Sequence, residues 1–165
     1  MHDSIQKALS EQIRSELFSA YFYLSASDYF EATSLTGFAE WMREQSREEV
    51  DHAMKIFDYL HDRGTRATLQ GIEQPPADFR SPLDVFTRSL EHERQVSGMI
   101  NELYALSLQE RDYPSQVFLQ WYISEQVEEE KIASQIVEEL KMAGDNPSAL
   151  LVLNGQLAAR RKAAS

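Results

Sequence analysis

Apolar side chains recur along this chain at intervals of three and four, the period of a helix buried on one side. Ile5, Leu9, Ile13, Leu17, Ala20 and Leu24 form a first stripe, and Phe38, Met42, Ile56 and Leu60 mark a second. Gly64 stands where a C-cap glycine belongs, and Gly71, Pro75 and Pro76 then interrupt the pattern over 64–80. It resumes at Ser81-Pro82-Leu83-Asp84. Serine is a good N-cap, proline suits the first helical position, and aspartate complements the helix dipole. Pro114 opens a further segment that stops at Gly144, and Asn146-Pro147-Ser148 caps a last one with Leu150, Leu151, Leu153 and Leu157. Period-two alternation is missing, so no strand competes. The pattern predicts an all-α fold in one domain over 1–165, with helices at about 3–31, 35–63, 81–108, 114–143 and 147–160.

The long connection at 64–80 carries topological information. Helices joined by short loops must lie antiparallel. At about 1.5 Å per residue the second helix is roughly 40 Å long, and an extended connection of this length can run beside all of it. The third helix then starts at the far end and lies parallel to the second. The expected architecture is a four-helix bundle with one long crossover, plus a short fifth helix at the C-terminus.

Each long stripe contains a misfit. Glu16 lies between Ile13 and Ala20; Glu49 and His52 fall between Met42 and Ile56; Glu93 follows Leu90; Glu129 lies among Trp121, Tyr122, Gln126, Ala133 and Ile136. Each carboxylate is predicted to point inward near the middle of its helix. An unpaired buried carboxylate costs several kcal/mol even after relaxation, at about the scale of losing a buried partner. Four that converge also repel. Protonation could neutralise some of them, but two divalent cations would do it better, and helix axes about 8–10 Å apart let four side chains reach two metals about 3.5–4 Å apart. Oxygen donors with a single imidazole suit iron or manganese better than zinc. The fourth helix carries Gln126-Val127-Glu128-Glu129, so only one Glu-x-x-His pair, Glu49 to His52, is present. One metal position should have the histidine. The other should be mostly carboxylate, with Gln126 nearby, and should hold its metal less tightly.

Composition narrows the partners. A net charge of −11 disfavours nucleic acid, whose binding rests on phosphate neutralisation. The one basic cluster, Arg160-Arg161-Lys162, reads as a solvated tail. No apolar run approaches the length of a membrane span, and the N-terminus lacks the layout of a signal peptide. Cysteine is absent, which excludes disulfides, thiolate zinc and iron–sulfur sites and agrees with a cytoplasmic location.

Several stretches together resemble the haem-free bacterial ferritins over essentially the whole chain. They are residues 11–23, Glu48-Glu49-Val50-Asp51-His52-Ala53, Phe57-Asp58-Tyr59-Leu60, His92-Glu93, and 121–130, the last being the most specific. The resemblance implies a ferroxidase centre. Glu16, Glu49 and His52 would bind a first iron, and Glu49 would bridge to a second held by Glu93 and Glu129, with Gln126 close by. Fe(II) would be oxidised with O2 or H2O2 and stored as ferric mineral inside a shell of twenty-four subunits with octahedral symmetry. A third iron position would fall on Glu48, Glu125 and Glu128, shared with Glu129. A solvated acidic run is the alternative for that outer group, and Glu130 is expected in solvent. Tyr23 would stand beside the centre as a hydrogen-bond or electron donor, and a plain core tyrosine is the competing reading. Trp121 is read first as core and then as a second electron donor. His92 is read as a surface residue or one behind the ligands, and His2 and His61 as solvated.

Neighbouring families fit less well. Bacterioferritin needs a haem methionine where Val50 stands, and it carries a second Glu-x-x-His; no haem is expected here. Rubrerythrin needs cysteines, and the small DNA-protecting ferritins place their metal site between subunits. Outside the superfamily, a di-iron oxidase acting on an organic substrate would need a pocket that the bulky aromatic residues leave little room for. A metal-free structural bundle would leave the inward carboxylates unexplained.

Overall fold

A computed structural model describes residues 1–164, with side chains described as far as Arg160. It contains α1 (Asp3–Ala32), α2 (Thr36–Asp62), α3 (Pro82–Gln109), α4 (Tyr113–Ala143) and α5 (Pro147–Ala164). Of the basic tail, Arg160 pairs with Glu139, while the side chains of Arg161 and Lys162 lie outside the described residues. The caps act as the sequence predicts. Ser81 Oγ accepts from the Asp84 N–H, and Asn146 Oδ1 accepts from the N–H groups of Ser148 and Ala149. Gly64 and Gly144 take positive φ where α2 and α4 end. The boundaries fall within one residue of those expected, except at the end of α5. α4 begins before Pro114, because Asp112, held by Arg63, caps it through the Ser115 N–H at 3.2 Å. α5 continues past 160.

Hydrogen bonds between helices fix the topology. α2 and α4 run antiparallel, with Gln45 bonded to Glu129, Tyr122 to the His52 carbonyl, and Tyr59 to Ser115. α1 and α3 are likewise antiparallel, since Ser15 meets Met99 and Tyr23 meets Glu93. α3 therefore lies parallel to α2. The crossover climbs along α1: Gln6 donates to the Arg66 carbonyl, Arg14 pairs with Glu73, and Ser25 donates to the Pro76 carbonyl.

The apolar core has two halves. One gathers Phe22, Phe30, Phe38, Trp41, Phe86 and Leu140 toward the end where α1 meets α2. The other gathers Ile5, Ile13, Ile56, Ile100, Leu119 and Tyr122 toward the opposite end. The four inward carboxylates occupy the layer between them. Two expected core residues face outward instead. Leu24 is 49% exposed, because the inner stripe of α1 turns toward Phe22, Tyr23, Ala26 and Phe30. Trp121 is 36% exposed, because Tyr122, about 100° round the helix, takes the inner position.

α5 docks on the start of α2, and its Asn154 supplies the cap there. Leu35, at the N-cap of α2, supplies no side-chain bond, and Asn154 Oδ1 accepts from Gly37 and Phe38 at 2.9 and 3.1 Å instead. The approach requires glycine, since a Cβ on Gly37 would lie 1.9 Å from the Asn154 carbonyl oxygen. Leu157 is buried beside this contact, against the core half rich in phenylalanine.

Candidate metal centre

The middle layer brings all five inner residues together. Glu16, Glu49 and His52 each offer a ligand atom, and these atoms lie within 4.8 Å of one another. Glu49 and His52 face the same way because they are three residues apart on α2, with Oε2 and Nδ1 3.5 Å apart. Glu93 and Glu129 enter from α3 and α4 and are nearly as buried. Tyr23 donates a short hydrogen bond to Glu93 Oε1, and Gln126 donates to Glu93 Oε2 at 3.1 Å. Tyr23 and Gln126 are thus both buried against the Glu93 carboxylate.

Three supporting residues carry no motif. Gln12 donates to Glu16 Oε1 at 2.8 Å, and Gln45 donates to Glu129 Oε2 at 2.8 Å. Tyr122 donates to the backbone carbonyl of His52, which fixes α2 against α4. Gln12 lies four residues before Glu16 on one stripe, a spacing that could have flagged it.

Electrostatics explain why this layer wants cations. Burial pushes the Glu16 carboxyl from its ordinary 4.5 to about 7, against the opposing hydrogen bonds from Gln12 and Glu49. Burial and then the charge of Glu93 push Glu129 to about 8. Glu49 is driven well above the usual range by burial and then by Glu93, Glu16 and Glu129. Glu93 is raised by burial, with Tyr23 and Gln126 pulling the other way. Burial lowers His52, so its imidazole is neutral and ready to ligate. Burial thus favours the protonated form of each of these four carboxyls.

The outer acidic group is arranged differently. Glu48, Glu125 and Glu128 line an open chamber of about 500 Å³ with His52 and Glu129 as its inner wall. Glu48 and Glu125 are half-buried and Glu128 is exposed. Burial, then Glu128 and Glu48, raise the Glu125 carboxyl. Glu130 is not in solvent as expected: it is half-buried, accepts from Ser97 Oγ at 2.5 Å and lies 3.9 Å from Arg94. His92 is no surface residue either. Its ring stacks on Phe22, meets Phe18 edge-on and bonds Ser19 Oγ at 2.6 Å, and burial lowers it to about 4. His2 and His61 are exposed, as predicted.

Residues 6–143 match the Ferritin-like domain family. The bacterial non-heme ferritin of Bacteroides fragilis strain 638R is 40% identical over 158 residues, covering 96% of this chain and 98% of the relative. That of Campylobacter jejuni is 39% identical over 146 residues, covering 88% of this chain and 87% of the relative. Among solved structures, an open pore ferritin from the hyperthermophilic archaeon Archaeoglobus fulgidus superposes with a TM-score of 0.95 at 45% identity, covering 96% of this chain and 98% of that one.

Proposed function

The chain belongs to the ferritin family, and from that premise we propose that its middle layer of carboxylates is an intrasubunit di-iron ferroxidase site. Its function is iron storage with ferroxidase activity, and Fe(II) is the substrate. The observation that carries the site assignment is the convergence of Glu16, Glu49 and His52 within 4.8 Å, in a layer walled by two apolar core halves.

Glu16 and His52 hold one ferrous ion and Glu93 and Glu129 the other, with Glu49 shared between them. Gln12, Gln45 and Gln126 donate to the ligand carboxylates and hold them in place. The carboxyl protons leave as the metals arrive. Two Fe(II) then yield two electrons, which with two protons reduce O2 to H2O2, or reduce H2O2 to two waters. Tyr23, bonded to Glu93, orients that carboxylate. Glu48, Glu125 and Glu128 take a third iron on its way from the site toward the store.

The full reading is a single ferritin domain over 1–165, cytoplasmic, haem-free and assembled as a shell of twenty-four copies. No helix among the described residues is long and apolar enough to cross a membrane. Aerobic Fe(II) titration followed in the near ultraviolet tests the chemistry, with a fast phase that saturates near two equivalents per chain as the expected result. Light scattering tests the shell: a monomer or dimer of the 19.0 kDa chain would overturn it.

A further inference from the structure

Two cations that no ligand set requires stand near the outer chamber, Arg160 in its lining and Lys55 beside it. Lys55 lies on α2, three residues after His52. Its Nζ sits 3.5 Å from the centroid of the Trp121 ring, and that ring meets His52 edge-on at 5.2 Å. A cation over an indole face is held there by the ring quadrupole. Trp121 lies one turn before Glu125 on α4, and Lys55 lies one turn after His52 on α2, so the ammonium stands beside the rim of the chamber. Arg160 comes from the opposite side. It lines the chamber with Glu48, Glu125 and Glu128, and its Nη2 contacts both Glu139 oxygens at 2.9 and 3.1 Å. Asn154 and Leu157 hold α5 down, and so hold Arg160 at this rim.

We propose that Lys55 and Arg160 set metal retention in the outer chamber, acting as tethered cations that make it a place of passage rather than of storage. The inference rests on the reading of Glu48, Glu125 and Glu128 as a third iron position. Coulomb energy scales with the product of the charges, so a fixed positive charge opposes Fe(III) half as much again as it opposes Fe(II). The two cations therefore weigh against the oxidised product more than against the incoming substrate. Without them, carboxylates converging on a trivalent ion would hold it and block the next pair. Lys55 carries the larger share, because Glu139 already offsets part of the Arg160 charge.

The test uses Lys55→Gln, Arg160→Gln and the double variant in the full-length assembled protein. Tb(III) serves as a non-oxidising trivalent probe and Zn(II) as its divalent counterpart. Removing each charge should tighten Tb(III) at the third position by about threefold to tenfold, as expected for a unit charge several ångströms away in a wet chamber. Zn(II) should tighten less, so the Tb(III)/Zn(II) affinity ratio rises. The fast phase should also recover more slowly between successive Fe(II) additions. Lys55→Arg should restore both readouts. Arg43→Gln removes a charge that instead pairs with Glu31 of α1 and should move neither. A double variant with wild-type ratio and recovery overturns the inference while leaving the third position intact. Wild-type protein that takes up only two metals per chain overturns the third position, and the inference with it.

Discussion

The inner centre and the outer chamber share a wall, His52 and Glu129, yet hold their carboxylates in opposite ways. The inner set is dry and braced: Glu16, Glu49 and Glu93 are at most 3% exposed, and glutamine or tyrosine hydrogen bonds hold several of their oxygens. The outer set borders an open chamber, with Glu128 exposed and the cations Lys55 and Arg160 close by. Burial makes an acid a strong ligand only after its proton has gone, so the inner site joins metal capture to proton release. On the reading proposed above, exposure would make the outer site easy to fill and easy to empty, and the same residue type would serve reaction in one place and transfer in the other.

The largest break in that contrast should come from Glu49→Ala, which removes the carboxylate shared by both inner positions. Initial Fe(II) oxidation in stopped flow should fall about a hundredfold or more, the scale of a misplaced reactant. A variant that keeps the wild-type fast phase would overturn the assignment.

Next comes pH. With burial raising Glu16 to about 7 and Glu129 to about 8, metal binding there should displace protons. Affinity for Zn(II) should rise up to about tenfold per pH unit for each proton displaced, until pH passes those values. Calorimetry in buffers of different ionisation enthalpy would count the protons. The empty fold should respond with the opposite sign. Both groups sit above their ordinary 4.5, so the folded state binds the extra protons. The associated stability is full below 4.5 and is lost as pH rises through about 7 and 8. Thermal unfolding of metal-free protein across that window checks it.

A smaller effect should follow Glu125→Ala with Glu128→Ala. The first Fe(II) addition should oxidise at near wild-type rate, and recovery before a second addition should slow by roughly threefold, as for loss of a weakly held ion. Equal losses in both additions would merge the two regions into one site. Tyr23→Phe is the mildest case. It should cost about 1 kcal/mol of metal-free stability for one lost hydrogen bond, and oxidation should slow by less than in Glu49→Ala. An unchanged melting midpoint would show that the bond to Glu93 contributes nothing measurable.

Much of this was legible in the sequence for one physical reason: charge is costly in an apolar stripe. Glu16, Glu49, Glu93 and Glu129 stood out because the neighbours of each predict burial, and burial of an acid demands a partner. The crossover was legible because prolines and glycines punctuate helices. What escaped was contact between distant segments. Nothing in the pattern of α3 places His92 against Phe18 and Phe22 of α1, and nothing in α5 brings Asn154 to Gly37. Trp121 and Leu24 misled because a stripe fixes an angle only loosely. Two adjacent aromatic residues, Trp121 and Tyr122, cannot both face inward, and a tertiary contact, the Tyr122 bond to His52, decides between them.

The bond from Asn154 to the start of α2 bears on the order in which the molecule is finished. Helix N-termini are usually completed by a residue just upstream, made moments earlier. Here the acceptor for Gly37 and Phe38 lies 117 and 116 residues downstream. A growing chain emerges from its N-terminal end, so α2 is made early and waits through the synthesis of α3 and α4 for its cap. The bundle's second helix thus gains this cap only once α5 has been made, and the same docking brings Arg160 to the acidic chamber.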